Sequence, residues 1–160
     1  MVFAGMIAAQ VTFADDNAVV LEIGGAGAWD AHTWTSQFGP NFAVEVTPIE
    51  HWLEIEAGTT PFRVRGATEW ETDLVFKKPF ELSPTADFMV GLGPTWTHSN
   101  VPGERADSTG GEIAFDFMFW PKPHWGWYVE PTYGMAFDHG HGGSVGVSAG
   151  LLIGLPQIGQ

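Results

Sequence analysis

The sequence predicts an all-β protein, specifically an eight-stranded antiparallel up-and-down transmembrane β-barrel. First, apolar residues alternate with polar or small ones at a period of two, as in strands whose two faces meet different surroundings. Second, no window of eleven or more residues carries a helical apolar stripe that Gly or Pro does not interrupt. Third, 19 acidic residues stand against six Lys and Arg, yet the mean hydropathy is +0.02. Apolar and acidic residues must therefore lie on different surfaces.

The alternation runs through eight segments, and each segment has one almost purely apolar face. Polar or Gly-rich connectors at 28–39, 59–66, 97–110 and 138–143 alternate with generally shorter, proline-rich turns near Pro48, 77–84 and 121–123. Hairpins in sequence order are therefore expected. The apolar faces, in chain order, are Val19, Leu21 and Ile23; Phe42, Val44 and Val46; Leu53, Ile55 and Ala57; Trp70, Thr72, Leu74 and Phe76; Phe88, Val90, Leu92 and Trp96; Ile113, Phe115, Phe117 and Phe119; Trp127, Val129, Tyr133 and Phe137; and Val145, Val147, Ala149, Leu151, Ile153 and Leu155.

Length and composition restrict the other possibilities. At 160 residues the chain predicts a single domain, which we place at 18–155, large enough to bury a core. A net charge of −13 excludes nucleic-acid binding, which needs clustered positive charge. The lack of cysteine excludes disulfides, cysteine-type zinc sites, iron–sulfur clusters and cysteine nucleophiles.

The two ends of the chain differ from the alternating region. Residues 1–14 are apolar and end in Thr12, Phe13 and Ala14 before a polar stretch, which predicts a signal peptide truncated before its basic part. The alternative is the first element of the mature domain. Residues 156–160 are interpreted as a C-terminal extension. The sequence contains no run of about 18 apolar residues, so no membrane-spanning helix is predicted.

The direction of the apolar face decides between two kinds of β-protein. A soluble sandwich turns this face inward, whereas a membrane barrel turns it toward lipid and needs strands of about 9–11 residues. The long segments, the aromatic residues near both ends of the apolar face and the glycine-rich polar face of the last segment favour the membrane barrel. A soluble periplasmic calycin-like barrel that binds a small apolar ligand is the alternative. The aromatic pairs are Trp70 and Phe76, Phe88 and Trp96, and Trp127 and Phe137.

The last segment resembles that of the small eight-stranded outer-membrane barrels of Gram-negative bacteria, OmpX-type in the broad sense. In that class the barrel-insertion machinery reads a polar residue, a glycine two places on, and apolar residues three and five places later. Ser148, Gly150, Ile153 and Leu155 fit this spacing, although the class prefers Phe at the last position. The resemblance implies location in the cell outer membrane, with membrane lipid and the barrel-assembly machinery as partners. A structural, adhesive or surface-loop role is then expected.

The polar face is expected to line the lumen and to carry far more acid than base. Arg63 and Arg65 are predicted near one mouth and Lys77 near the other, and three bases cannot neutralise eleven acids. The carboxylates are therefore expected to form hydrogen bonds with polar neighbours or to be partly protonated. A hard cation such as Ca²⁺ or Mg²⁺ bound in the lumen is the third alternative. An eight-stranded barrel is filled by its side chains, so no open pore is expected. The predicted carboxylate network is Glu54, Glu56, Glu69, Glu71, Asp73, Glu112, Asp116 and Glu130, with Glu22, Glu45 and Asp87 on the same face.

Two further motifs contain residue types that can bind metals or catalyse reactions. Asp138, His139 and His141 form a candidate metal-binding loop, but two imidazoles without a fixed third ligand also fit a solvated loop. Some outer-membrane barrels deacylate lipid A with a His-x-Ser motif followed by Asn. Here His98 and Ser99 are adjacent, which places them on opposite faces of a strand. We therefore predict no catalytic residue, no enzyme and no cofactor other than the possible lumen cation.

Overall fold

The computed structural model describes residues 17–30, 35–64, 66–100, 107–137 and 143–156. These residues form eight strands that close into one antiparallel barrel. Among them, no helix is long and apolar enough to cross a membrane. The strands are β1 (Asn17–Asp30), β2 (Ser36–Ile49), β3 (Leu53–Val64), β4 (Ala67–Ser83), β5 (Ala86–Ser99), β6 (Asp107–Lys122), β7 (Trp125–Ala136) and β8 (Gly143–Pro156).

Each strand pairs with the next in sequence, and β1 closes the barrel against β8. The β1–β8 register runs from Val19 opposite Leu155 to Asp30 opposite Ser144. The start of β1 and the end of β8 therefore share one rim, which we call the terminal rim. The opposite rim, where β1–β2, β3–β4, β5–β6 and β7–β8 are connected, is called the loop rim. The predicted eight-stranded antiparallel barrel is confirmed.

Several strands are longer than the sequence predicts. β3 continues to Val64 and β4 to Ser83, so the connectors predicted at 59–66 and 77–84 were too long. Pairing also continues through a proline, with Pro79 opposite Met89 on β5. The alternation of side chains ends before the strand does, because backbone hydrogen bonds with the neighbouring strands do not require alternating side chains.

The two faces of the barrel have opposite chemistry. In β8, Leu151 on the outer face is 54% exposed while Leu152 on the inner face is fully buried. Leu92, halfway along β5, is 68% exposed. An outer surface of contiguous apolar side chains is typical of a lipid-facing barrel. Exposed aromatic residues lie near both rims: Trp29, Phe38, Trp70, Trp96 and Phe137 near the loop rim, and Trp52, Phe80, Trp125 and Trp127 near the terminal rim.

Two glycines allow β1 and β8 to meet closely on the lumen side. Gly24 lies opposite Gly150 in the register. A Cβ atom added to Gly24 would collide with the Ala149 carbonyl, and one added to Gly150 would collide with the Ile23 backbone. Glycine is therefore required at both positions by the close approach of the strands.

The terminal rim is tied together by polar contacts. Asn17 Nδ2 at the start of β1 donates to the Pro123 carbonyl at 3.0 Å. Asn17 Oδ1 lies 2.9 Å from His124 Nδ1. The Gly154 amide of β8 donates to the His124 carbonyl at 3.1 Å. These bonds hold the β6–β7 turn against the two strands that close the barrel.

Candidate functional site

The lumen has three levels, and the level nearest the terminal rim is apolar. Its side chains are at most 5% exposed and form one contiguous cluster. Because an eight-stranded barrel is narrow, these side chains fill it. We call this level the apolar plug; it consists of Val20, Met89, Met118, Trp120, Tyr128 and Leu152.

The middle level is centred on the ammonium group of Lys77, which is 1% exposed. Lys77 Nζ lies 2.9 Å from an Asp116 oxygen and 2.7 Å from a Glu130 oxygen. It donates a hydrogen bond to Glu56 and lies 3.5 Å from a Glu45 oxygen. The four acceptors come from β6, β7, β3 and β2, so one cation from β4 links carboxylates from four other strands.

Strand pairing explains how these side chains converge. Glu45 pairs with Glu56 across β2 and β3, and Lys77 pairs with Gly91 across β4 and β5. A Cβ atom at Gly91 would lie 2.8 Å from Lys77 Cγ. The glycine therefore leaves the space through which the lysine stem reaches the barrel axis.

The carboxylates around Lys77 are not fully satisfied by it. Glu22 is 1% exposed and Asp116 is fully buried. Glu22 Oε1 and Asp116 Oδ1 have no hydrogen-bond partner among the residues described. One carboxylate oxygen from each of Glu22, Glu45, Glu56 and Asp116 lies within 4.8 Å of the others. We call Lys77 with Glu22, Glu45, Glu56, Asp116 and Glu130 the ionic cluster.

The third level is a cavity of about 980 Å³ that reaches the loop rim. Glu56 and Glu130 of the ionic cluster contribute to its lining, as do Glu71, Asp73 and Glu112. Hydroxyl groups of threonines and serines complete much of the wall. We call this cavity the acidic cup.

Several polar contacts fix the wall of the acidic cup. The Gly58 amide donates to Asp73 Oδ1 at 3.0 Å. Asn41 accepts a hydrogen bond from the Tyr128 hydroxyl at 2.7 Å and donates one to Thr60 Oγ1 at 3.0 Å. The Asn41 amide thus links the apolar plug, through Tyr128, to the wall of the cup.

The eight carboxylates of the predicted network all occupy inward positions in the strand registers. They divide between levels rather than forming one network. Glu54 borders a small gap beside Glu45 and Asp87 on the terminal side. Glu56, Asp116 and Glu130 belong to the ionic cluster, and Glu69, Glu71, Asp73 and Glu112 line the acidic cup.

The predicted lumen bases need correction. Arg63 is exposed and lies at the rim of the cup, whereas Phe62, 2% exposed, takes the inward position. Because Leu53 and Ile55 face outward, residue 63 has the outward parity of β3. Lys77 points inward but lies at the buried centre rather than near a mouth. Arg65 lies outside the described residues.

The expectation of a wholly filled lumen also needs correction. The apolar plug and the ionic cluster fill the terminal half, but the acidic cup leaves the loop half open. The cup is lined by short side chains such as Ala26, Gly110 and Gly146, which leave the central space empty.

The other predicted motifs are placed as follows. His98 is exposed and bonds Asp107 at 2.6 Å, while Ser99 is 8% exposed on the other face. The two side chains therefore do not form a nucleophile and base pair. In β8, Ser148 and Gly150 face inward, whereas Ile153 and Leu155 belong to the outer face. Asp138, His139 and His141 fall in a stretch that the structure does not describe.

Comparison with known proteins identifies the fold. The sequence matches no protein-family model and no curated protein. Neisserial surface protein A matches with a TM-score of 0.66 and 13% identity, covering 86% of this chain and 97% of that one. The outer-membrane protein OprG of Pseudomonas aeruginosa matches with a TM-score of 0.65 and 10% identity, covering 89% and 98%. Ail of Yersinia pestis matches with a TM-score of 0.55 and 14% identity, covering 86% and 99%. The chain thus has the fold of small outer-membrane barrels.

Proposed function

We propose that this protein is an integral barrel of the bacterial outer membrane with a structural or adhesive role carried by its loop rim. The observation that carries the proposal is the outer face: large apolar side chains such as Leu92 and Leu151 are more than half exposed. Such a surface is stable against lipid and unfavourable in water. The remaining partners follow from this location, namely outer-membrane lipid and, through Ser148, Gly150, Ile153 and Leu155 of β8, the barrel-assembly machinery.

A role in diffusion through the barrel is disfavoured by the lumen. Below the acidic cup, the ionic cluster and the apolar plug occupy the barrel axis, and both Lys77 and Leu152 are at most 1% exposed. An ion crossing this region would have to displace paired charges and packed side chains. We therefore propose a barrel without a continuous pore. A deacylase mechanism based on His98 and Ser99 is disfavoured because the two side chains lie on opposite faces.

Among the residues that the structure describes, the acidic lining near the loop rim favours a basic partner over a sulfated one. Ail is described as an attachment and invasion protein, and a second structure of it holds sucrose octasulfate, a heparin analogue. In this chain, the acidic cup presents Glu69, Glu71, Asp73 and Glu112 near the loop rim, with Arg63 exposed at the edge. Its negative charge would repel a sulfated ligand. We therefore propose that an adhesive partner presents a positively charged surface.

A soluble barrel that binds an apolar ligand is the less favoured alternative. The apolar plug is already filled by its own side chains, and the open part of the lumen has carboxylates and hydroxyls distributed among the small and apolar residues of its wall. An apolar ligand would therefore find no cavity of matching chemistry.

Extraction and electrophoresis test the membrane assignment. We expect the mature protein to remain with the membrane fraction until detergent is added and to change gel mobility on heating, because a barrel stabilised by lipid-facing strands resists mild denaturation. Recovery in the aqueous phase with no heat-dependent mobility would overturn the proposal. In planar bilayers we expect no steady conductance, and a stable open channel would contradict the closed lumen.

A further inference from the structure

We propose that the ionic cluster binds one calcium ion beside Lys77, held by Glu22, Glu45, Glu56 and Asp116. The proposal concerns the centre of the barrel and does not depend on the role of the loop rim. Its geometric basis is that these four residues, from four strands, each offer an oxygen within 4.8 Å of the others. Opposite ligands of a bound Ca²⁺ lie about 4.6–5.2 Å apart, because each Ca–O bond is about 2.3–2.6 Å long.

An independent observation indicates that a cation is needed at this position. Glu22 is 1% exposed, and its Oε1 has no hydrogen-bond partner among the described residues. The same is true of Oδ1 of Asp116, whose other oxygen accepts from Lys77 at 2.9 Å. Native proteins seldom leave buried carboxylate oxygens without a donor or a metal. Glu45 Oε2 and Glu130 Oε2 also lack a hydrogen bond, but they lie 3.5 Å and 2.7 Å from Lys77 Nζ, whereas the ion pairs of the cluster do not involve Glu22 Oε1 or Asp116 Oδ1.

The charge of the cluster supports the same conclusion. Five carboxylates surround one ammonium group, and Lys77 is the only buried Lys or Arg among the residues that the structure describes. A divalent ion would leave the cluster with a smaller excess of negative charge than Lys77 does alone. Lys77 pairs with Glu45, Glu56, Asp116 and Glu130, so the ion would share the first three of these carboxylates with the ammonium group, whereas no salt bridge joins Glu22 to Lys77 among the described residues.

Calcium is favoured over magnesium by the type of ligand. Each of the four residues offers one carboxylate oxygen, and Ca²⁺ accepts carboxylates together with other oxygen ligands in a flexible geometry. Magnesium keeps several of its waters and demands regular octahedral geometry, which a buried set of four carboxylates does not provide. The route of entry is the acidic cup, because Glu56 and Glu130 belong both to its lining and to the cluster.

The experiment measures calcium retention by the full-length barrel folded in detergent. Equilibrium dialysis with radioactive calcium, in excess sodium and magnesium, is expected to show one retained ion per barrel. Calcium is also expected to raise the temperature at which the folded gel band is lost. Glu22→Gln keeps the shape but replaces one oxygen by an amide nitrogen, which cannot bind a cation. Retention and the temperature rise are expected to disappear in this variant.

A matched control lies in the acidic cup. Glu71→Gln removes one charge from a lumen carboxylate outside the cluster and is expected to retain the ion. If Glu22→Gln does not give a folded band, Glu45→Gln tests the same site. Failure of the unmodified barrel to retain calcium would overturn the proposal. Equal loss in Glu71→Gln and Glu22→Gln would also overturn it, because the ion would then lie in the cup.

Discussion

At the residue scale, Lys77 organises the lumen. Its ammonium group is the common partner of Glu45, Glu56, Asp116 and Glu130. A buried ion pair is not stabilising in itself, because desolvation offsets much of the attraction. Removing one partner is nevertheless costly, because the remaining charges stay buried without compensation. The stability of the middle level therefore depends on one lysine.

Lys77→Met is expected to lower the free energy of unfolding by about 3–5 kcal/mol, because it leaves the buried carboxylates without their lysine. Urea unfolding of the detergent-folded protein, followed by tryptophan fluorescence, measures this loss. The neighbouring Lys78→Met is the control. Lys78 lies on the outer face, over the Phe80 ring at 5.6 Å, and its replacement is expected to change stability by less than about 1 kcal/mol. Equal losses in the two variants would contradict the role assigned to Lys77.

At the element scale, the contact between β1 and β8 is the step that closes the barrel. Twelve consecutive residues of β1, from Val19 to Asp30, pair with β8 without a register shift. Gly24 and Gly150 let the two backbones approach on the lumen side. A side chain at either position would separate the strands that join the two ends of the sheet, so the closure depends on the absence of a Cβ atom.

Gly24→Ala is expected to destabilise the barrel by about 1–3 kcal/mol, because the added methyl group overlaps the Ala149 carbonyl. Gly25→Ala is the matched control in the same strand. Its Cβ atom would have only the Gly39 carbonyl nearby, at 3.8 Å, so stability is expected to stay within about 0.5 kcal/mol. The loss of the folded gel band with temperature compares the two variants. A barrel that tolerates Gly24→Ala as well as Gly25→Ala would refute the close-contact argument.

At the scale of the whole molecule, the chain inverts the usual arrangement of a β-protein. The outer face is apolar, and the centre contains an ionic cluster and an acidic cup. The chain combines a net charge of −13 with a mean hydropathy near zero, and the fold places its charged and apolar side chains on separate surfaces. The arrangement is stable only if the surroundings of the barrel are apolar.

Two equally exposed outer residues at different depths test this arrangement. Leu92 and Phe137 are both 68% exposed, but Leu92 lies halfway along β5 and Phe137 lies just beyond β7 at the loop rim. In a bilayer, Leu92→Arg is expected to cost about 2–4 kcal/mol and Phe137→Arg about 0–1 kcal/mol. Unfolding in lipid vesicles measures both. Equal, small effects would indicate that water rather than lipid surrounds the barrel.

The sequence by itself determined the strands and their faces. The alternation of residues such as Leu151 and Gly150 depends only on the period of two of an extended chain, so eight strands and the placement of the carboxylates on one common face follow from it. Counted from Leu53 and Ile55, the same rule places Arg63 on the outer face. Strand ends were less predictable, because backbone pairing continues where side chains no longer alternate.

The tertiary structure alone decided which carboxylates meet. Glu22, Glu56 and Asp116 are far apart in the chain, and their levels in the lumen depend on the strand registers and the closure of β1 on β8. The central position of Lys77 depends likewise on the space left by Gly91. Alternation fixes the face of each residue, whereas register and closure fix its height and its neighbours. For this reason the acidic lumen could be predicted from the sequence, but its division into a cluster, a cup and a plug could not.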